Sequence, residues 1–342
     1  MRPASVYTNS DVCRYHLTCI NITPINDIAL AAQAVFHIPF PYNTDFELDV
    51  DQALRHCDCI VILVSELHRT TVDFMRRYRS DKIKYFTCGF VNGVSSDLWM
   101  DWFINTQSFY QQHDTLTQLT PFDIKEKIFD ILLGAARLHR DFIYNNVVTA
   151  GIDKLSILTY YKFTNVELSK NINFILEPET KLINPITHSI GKVRYHNSEM
   201  SISTIVPISI YNQTAYSIVA ETNFANDYSF YTEKIVKPIL AERLFIVFSG
   251  QHYLRNLRSL GFKTFDGIID ETYDTIEDST TRFEQAYKQM EYLITLPQAD
   301  VLAQIREIVE HNKRIMFETD WQHQFHTKLN AVLFNHSKFS PP

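Results

Sequence analysis

Thr232, Glu233 and Lys234 follow one another at the start of an apolar-periodic run. Threonine is a common N-cap residue, and the helix macrodipole favours a carboxylate in the first turn, so this order predicts a helix beginning near Thr232. The same carboxylate can accept a bidentate hydrogen bond from a ribose diol, while Lys234 and the free N–H groups neutralise a diphosphate. Helix capping alone and a nucleotide-binding site are therefore two competing interpretations.

A second block, KIFDILLGAARLHRDFIYNNV, predicts a strand followed by a helix. Arg137, His139 and Arg140 fall at the start of that helix, which concentrates positive charge where a β/α loop opens. This arrangement suits an anionic ligand. The alternative is that both arginines are solvated or pair with Asp141.

Three carboxylates lie close together in the segment IIDETYD, at Asp270, Glu271 and Asp274. Oxygen ligands of this kind can hold a divalent cation, but the Asp-x-Asp pattern of a strand end is absent. Solvated or helix-capping carboxylates are the stronger interpretation, so no metal site is expected.

The elements that must position these residues form two successive alternations of strands and helices. In the first, β-rich runs separated by polar, helix-compatible segments precede an aromatic helix. Its strands are predicted at 14–23, 33–38, 58–65 and 82–90, and its helix at 98–113. The solid apolar run CIVILVS is typical of a parallel sheet that is covered on both faces.

The second alternation follows a polar boundary at 114–121. Its predicted elements are strands in IFDILLG, KLSILTYY, YSIVAE, LFIVFS and FKTF, with helices from about Leu138, Thr232 and Gln251, and long helices at 279–296 and 298–333. We expect an α/β fold of two Rossmann-like domains facing a cleft, with C-terminal helices. The expected domains are 1–120, 121–300 and 301–342, the last packing back on the first.

Composition narrows the function further. Only 8 glycines occur, and neither GxGxxG nor GxxxxGK[ST] appears, so a phosphate site must use side chains and helix N-termini. A net charge of -7 argues against a general basic surface for nucleic acid, although a local basic groove is compatible with it. The five cysteines suggest reduced thiols in a cytoplasmic protein, and no apolar run is long enough to span a membrane.

Residues 218–250, IVAETNFANDYSFYTEKIVKPILAERLFIVFSG, resemble the donor-binding signature of α-1,3-fucosyltransferases. That signature runs as a strand ending Phe-Glu-Asn, an Asp-Tyr pair, Thr-Glu-Lys, and a helix leading to a Pro-Val strand and a glycine. The matching positions are Glu221, Asn223, Asp227, Tyr228, Thr232, Glu233, Lys234 and Gly250. The resemblance implies a GT-B fold and a nucleoside-diphosphate sugar as donor, with no metal or other cofactor required.

The resemblance also implies which side chains bind the donor. Arg140, and after it Arg137, lies where such enzymes place an arginine on the donor diphosphate. The family's aromatic residue before the glutamate corresponds to Phe230, with Tyr231 inserted beside it. The implied donor-binding set is Arg137, Arg140, Glu221, Asn223, Tyr231, Glu233 and Lys234.

Two further features qualify the match. The Pro-Val strand of the family is replaced here by residues 244–247, Leu-Phe-Ile-Val. The continuation YLRNLRSLGFKTFDGIIDETYD is more similar to glycosyltransferase-like proteins encoded by phages and marine viruses, and this similarity covers about the last two thirds of the chain. It gives no acceptor identity.

In a GT-B enzyme the catalytic base should come from the N-terminal domain. Glu66 directly follows the strand DCIVILVS, and His68 comes two residues later. Residues at the carboxyl ends of parallel strands line such clefts, and either group can take a hydroxyl proton. Glu66 and His68 are therefore candidate catalytic residues, with Asp97 behind them and Asp101 as a further carboxylate. The alternative is an ordinary loop acid.

We therefore expect a cytoplasmic glycosyltransferase, in a host cytoplasm if the chain is viral. One acceptor that would fit is a hydroxymethylated pyrimidine in duplex phage DNA. The alternatives are a glycan or protein acceptor, or a non-catalytic nucleotide-sugar binding protein. The sequence does not specify the donor nucleoside and sugar, the acceptor, the stereochemical outcome or the oligomeric state.

Overall fold

The computed structural model describes residues 5–38, 42–43, 45–160, 180–182 and 192–336. They belong to two compact units, one formed by Met1–Ile104 with Asp320–Pro342 and the other by Asn105–Thr319. The chain leaves the first unit within a helix and returns to it for the last helix.

The described strands, numbered in chain order, are β1 Val6–Tyr7, β2 Gln33–His37, β3 Cys59–Val64, β4 Ile83–Thr87, β5 Gly89–Val91, β6 Ser96–Leu98, β7 Lys127–Leu133, β8 Ser156–Tyr160, β9 Lys181–Leu182, β10 Lys192–Tyr195, β11 Ser198–Ser201, β12 Thr214–Ala220, β13 Tyr228–Phe230 and β14 Phe245–Phe248. The described α-helices are α1 Asp11–Cys19, α2 Asp45–His56, α3 Arg69–Arg77, α4 Asp101–Gln112, α5 Leu138–Thr149, α6 Ile208–Tyr211, α7 Glu233–Leu240, α8 Tyr253–Ser259, α9 Ser279–Thr295, α10 Gln298–Glu318 and α11 Trp321–His336.

The first unit is built on a five-stranded parallel sheet in the order β1-β2-β3-β4-β6. All six side chains of β3 are buried, as expected for a strand that is covered on both faces. Phe74 of α3 packs on Tyr85 of β4, and Phe325 of α11 packs on Phe86, the next residue of that strand. Because successive side chains of a strand point to opposite faces, α3 and α11 cover opposite faces of the sheet.

One predicted strand is a helix. The segment predicted as a strand at 14–23 lies mostly in α1, where the side chain of Ser10 caps the helix by accepting a hydrogen bond from the backbone N–H of Cys13. Cys13, His16 and Leu17 are buried, at positions i, i+3 and i+4. This spacing matches one face of a helix, so the β-rich composition of the segment was the weaker signal.

The second unit is built on a four-stranded parallel sheet in the order β14-β12-β7-β8. From β7 the chain passes to β8 on one side, and the later strands β12 and β14 lie on the other side. The order therefore reverses between β7 and β12, which makes their carboxyl ends a topological switch point. A small antiparallel sheet of β9, β10 and β11 also belongs to this unit.

A buried ion pair supports β7 and β12 on the side away from their carboxyl ends. Arg243 lies 2.7 Å from Asp130 of β7, and both side chains are almost fully buried. Arg243 also donates to Ser217 and to the carbonyl of Thr214, both in β12. These bonds tie β7 to β12 and keep the switch point in register.

The predicted alternation of strands and helices is confirmed in both units, with one further exception. The segment FKTF, at 262–265, forms no strand. The backbone N–H and carbonyl of Lys263 pair with the side chain of Asn312, and the N–H of Phe265 donates to Glu271. Side chains thus satisfy the backbone groups that a sheet would otherwise take up.

The predicted helix at 279–296 is confirmed as α9, whereas the helical run predicted at 298–333 is divided into α10 and α11. None of the helices among the described residues combines the length and the apolar character needed to cross a bilayer. Between the strands predicted in KLSILTYY and YSIVAE no regular element is predicted up to about residue 200, and residues 161–179 and 183–191 of this stretch lie outside the described residues.

Candidate functional site

A pocket of about 250 Å³ opens at the carboxyl ends of the central strands of the second sheet. Its wall contains Leu133 at the end of β7, Gly134 beyond it, Thr159 of β8, and Thr222 just after β12. The pocket therefore lies at the point where the strand order reverses, which is where open α/β sheets bind their ligands. The topology alone marks it as a candidate binding site.

The pocket is strongly basic although the chain as a whole is acidic. Four of the side chains that line it are basic and one is a carboxylate: Arg137, Arg140, Lys234, Lys237 and Glu233. The starts of α5 and α7 supply three of the four basic groups, together with the positive ends of their helix dipoles. This concentration of positive charge suits an anionic ligand.

Glu233 and Lys234 form an ion pair at the start of α7. Lys234 Nζ lies 2.7 Å from Glu233 Oε1, and the carboxylate is nearly buried. Burial alone would raise the pKa of Glu233, but the ammonium groups of Lys234 and Lys237 hold it below its ordinary value. Glu233 is therefore ionised at neutral pH and presents acceptor oxygens only.

Helix capping and pocket lining coexist in this turn. The hydroxyl of Thr232 accepts a hydrogen bond from the backbone N–H of Lys234 at 3.3 Å, as an N-cap does. Thr232 also donates to Oε2 of Glu221 at 2.7 Å. Thr232 therefore caps the helix, and the side chains of Glu233 and Lys234 remain directed to the pocket.

Glu221 supports the site from behind. It is buried and is not part of the pocket wall among the described residues. Its carboxylate accepts hydrogen bonds from the hydroxyls of Thr232 and Tyr253 at 2.7 and 2.8 Å and from the backbone N–H of Thr222 at 3.1 Å. These bonds join the end of β12 to the start of α7, so Glu221 positions the turn.

Arg140 lines the pocket but is held by the backbone. Nη1 donates to the carbonyl of Ala135 at 2.8 Å, and Nη2 donates to the carbonyl of Glu221 at 3.2 Å. Burial lowers the pKa of Arg140 to about 10, which leaves the guanidinium charged at neutral pH. Arg137, at the N-cap position of α5, is exposed at the pocket rim.

His139 lies beside Arg140 and is fully buried. Its Nε2 pairs with the carbonyl of Glu221 at 2.8 Å, and burial lowers its pKa to about 3. His139 is therefore neutral and fixes the loop after β12 together with Arg140.

Besides Glu221, two more of the donor-binding residues implied by the resemblance lie outside the described pocket wall. Tyr231 is fully buried, with its hydroxyl donating to the carbonyl of Tyr253 at 2.9 Å and its ring 4.7 Å from the Tyr253 ring. Asn223 accepts a hydrogen bond from Ser249 through its backbone carbonyl. Neither belongs to the described pocket wall, whereas Arg137, Arg140, Glu233 and Lys234 are brought together there.

Sequence reasoning missed Lys237. It follows Glu233 by four residues and Lys234 by three, so its side chain is a neighbour of both on the helix surface. This spacing was the available signal. Burial lowers the pKa of Lys237 to about 8, with the charge of Glu233 acting in the opposite direction.

The first unit brings Glu66 and His68 together. Nε2 of His68 lies 3.0 Å from Oε2 of Glu66, just beyond the carboxyl end of β3. Asp97, in β6, lies instead near Lys328 of α11, with 4.0 Å between the charged atoms. Glu66 and His68 are therefore paired with each other, whereas Asp97 has a different partner.

A histidine and a serine beside this pair were also missed. His37 ends β2, and its Nε2 lies 2.9 Å from the hydroxyl of Ser65, which follows β3. Burial lowers the pKa of His37, so the ring is neutral at pH 7. The usable signal was its place at the end of a strand, next to the one that leads to Glu66.

The three clustered carboxylates have local structural partners. Asp270 accepts from the N–H of Thr272, Glu271 lies 3.0 Å from Nη1 of Arg258, and Asp274 accepts from the N–H groups of Leu254 and Arg255. Within the described ranges, no group of three or more His, Cys, Asp or Glu side chains is arranged to hold a metal ion.

Comparisons with family models, with curated proteins and with solved structures found no match to this chain. The function is therefore inferred from the pocket and its side chains.

Proposed function

We propose that the chain is a GT-B glycosyltransferase that moves a sugar from a nucleoside diphosphate to an acceptor hydroxyl. The observation that carries the proposal is the pocket at the switch point, where one ionised carboxylate, Glu233, lies among four basic side chains. A nucleoside diphosphate offers the matching groups, which are a ribose diol and a charged diphosphate.

The chemistry of the donor half follows from these groups. Glu233 accepts a hydrogen bond from each of the two ribose hydroxyls, because an ionised carboxylate has two acceptor oxygens. Arg137, Arg140 and a lysine of α7 face the diphosphate, which gains negative charge as it leaves the sugar. Fixed positive groups stabilise that charge in the transition state and require no reorganisation at the moment of transfer.

The size of the pocket limits what it holds. Its volume of about 250 Å³ lies slightly below the range of roughly 300–1,000 Å³ that is usual for small-ligand pockets. The space suits the ribose and diphosphate. The base and the sugar must then extend beyond the described wall.

The acceptor half of the proposal rests on the first unit. Glu66 is the proposed base, because a carboxylate can take the acceptor hydroxyl proton and His68 fixes its orientation from 3.0 Å. His68 itself and Asp97 are the other candidates.

The acceptor itself is the least constrained part. A hydroxymethylated pyrimidine in duplex DNA is one candidate, in a protein acting in the cytoplasm. DNA binding of this kind would weaken steeply with added salt, because phosphate contacts release counterions. Transfer to oligosaccharides without any transfer to modified duplex would eliminate this acceptor.

A nucleotide-sugar panel tests the function directly. The purified chain is screened by thermal shift against common nucleoside-diphosphate sugars, and each stabilising donor is then assayed for hydrolysis and for transfer to DNA, glycan and protein acceptors. We expect one nucleotide class to raise the Tm and to be turned over. Stabilisation without any hydrolysis or transfer would show a nucleotide-sugar binding protein and reject the transferase, whereas no binding at all would reject the donor site.

A further inference from the structure

Lys234 has no spare donor for a ligand. An ammonium group has three N–H bonds, and Nζ of Lys234 lies within hydrogen-bond distance of three acceptors. These are Glu233 Oε1 at 2.7 Å, the Thr222 hydroxyl at 3.2 Å and the Thr232 hydroxyl at 3.3 Å. Lys234 therefore holds together the end of β12 and the start of α7, with Glu233 fixed between them.

The ammonium group of Lys237 has a different environment. Its side chain lines the same pocket, yet its ammonium forms no hydrogen bond or ion pair with any of the described residues. Glu233, Lys234, Asp130 and Glu221 act on it through their charges, and Arg137 and Arg140 share the pocket wall with it. Solvent reaches the ammonium from the pocket, so its three N–H donors are not committed to protein acceptors and remain available to an anion bound there.

We propose that Lys237 is the lysine that contacts the phosphate groups of the ligand in this pocket, and that Lys234 is a positioning residue that orients Glu233. This inference rests on the proposed function, since it assigns roles within the same donor site. It differs from the sequence-based expectation, which gave the phosphate contact to Lys234.

Binding of a diphosphate should then be accompanied by uptake of a proton. The pKa of Lys237 is lowered to about 8 in the free protein, mainly by burial. A bound diphosphate would raise it, because a nearby opposite charge favours the charged form. At about pH 8 the free protein carries Lys237 roughly half protonated, so binding of a fully ionised nucleoside diphosphate takes up at most about half a proton.

The test uses calorimetry on the full chain with three probes: UDP, GDP and inorganic pyrophosphate. Pyrophosphate has no ribose and so reports the phosphate contacts alone. The variants are Lys237→Met, Lys237→Arg and Lys234→Met, with Lys288→Met as a control that removes one exposed positive charge from α9. Proton uptake is obtained for UDP or GDP from buffers of different ionisation enthalpy, and the Tm of each variant checks folding.

We expect Lys237→Met to weaken both the preferred nucleoside diphosphate and pyrophosphate by about tenfold or more, to abolish proton uptake and to leave the Tm equal or higher. Lys237→Arg should stay within about threefold of the wild type, and Lys288→Met should match it. Lys234→Met should weaken binding of the nucleoside diphosphate by about tenfold. Its effect on pyrophosphate binding should be at least about threefold smaller than the effect of Lys237→Met.

Different outcomes reject different claims. If the wild type binds a diphosphate but Lys237→Met keeps its affinity, or Lys234→Met weakens pyrophosphate as much as Lys237→Met does, the assignment of Lys237 is wrong and the donor site stands. If the wild type binds none of the three probes, the proposed function fails and the assignment fails with it.

Discussion

The ammonium of Lys234 lies 2.7 Å from the carboxylate of Glu233, its immediate neighbour in the chain. Neighbouring residues on a helix do not face each other, so the lysine side chain must fold back to make this pair. Only 6% of the Glu233 side chain is exposed, against 26% for Lys234. The pair therefore fixes the orientation of an almost buried carboxylate, as the proposed recognition of a ribose diol requires.

The cap of α7 can be tested separately from the pocket. Thr232→Ala removes the hydroxyl that accepts from the N–H of Lys234 and donates to the buried Glu221. We expect a loss of about 1–2 kcal/mol in the free energy of unfolding, measured by urea denaturation. Thr232→Ser keeps the hydroxyl and should restore most of the stability. Equal stability of the wild type and Thr232→Ala would contradict the capping role.

The sequence predicted the parts of this site that depend on local order. The start of α7 and the positions of Glu233 and Lys234 follow from short-range capping and charge rules. Lys237 was missed because its importance depends on burial at the end of a sheet. Arg140 is held by the carbonyl of Glu221, 81 residues away in the chain, and no local pattern shows this partner. The carboxylate of Glu221 is held by the hydroxyls of Thr232 and Tyr253, 11 and 32 residues away, which are equally invisible in a local pattern.

The dependence on distant partners also explains the two errors in the predicted secondary structure. Residues 14–23 and FKTF both have β-forming composition, yet neither pairs with a strand. In α1 the cap at Ser10 and a buried helix face decide the conformation. In FKTF the side chains of Asn312 and Glu271 take the backbone hydrogen bonds, and these residues are distant from the segment or follow it in the sequence.

Stability of the first unit should depend on pH through His16. Burial, with smaller contributions from His326 and His37, lowers the pKa of His16 to about 4. Between about pH 4 and 6.5 the unfolded chain therefore binds more protons than the folded one, so stability falls as the pH falls through this window. The loss from His16 is about 3 kcal/mol.

Tryptophan fluorescence can follow this loss, because Trp99, Trp102 and Trp321 are the three tryptophans of the chain and all belong to the first unit. His16→Phe should reduce the pH dependence of the urea midpoint and leave the part due to His37 and His326, whose pKa values are also lowered by burial. His56→Phe, at an exposed position of α2, should leave the pH dependence as in the wild type. A pH dependence that His16→Phe leaves intact would show that other groups cause it.

Gly250 follows β14 at a place where the backbone leaves no room for a side chain. A Cβ atom there would overlap the carbonyl oxygen of Ala225. Gly250→Ala should therefore lower the free energy of unfolding by about 1–3 kcal/mol, measured by calorimetry or by far-UV circular dichroism. Gly134→Ala is the comparison. Its Cβ would come within 3.3 Å of a nitrogen of the Arg140 side chain, so the surrounding atoms must move less than at Gly250. Wild-type stability in Gly250→Ala would contradict this close approach.

The proposed base can be tested once a donor is known. Glu66→Gln keeps the shape of the side chain but cannot take a proton, so kcat should fall by about 10²–10⁴ while the KM for the donor stays the same. Asp97→Asn should have a much smaller effect, because Asp97 lies near Lys328 instead. Full turnover by Glu66→Gln together with a large loss in His68→Gln would move the role to the histidine.

The most direct test of the account is calorimetric binding of UDP and GDP to the wild type and to Glu233→Gln. Glu284→Gln, an exposed position on α9, controls for the loss of one negative charge. Glu233→Gln should lose at least about tenfold in affinity for the preferred diphosphate. Its Tm should stay within about 2 °C of the wild type. Unchanged affinity together with a large fall in Tm would rule out a role of Glu233 in binding and show that it serves only the helix.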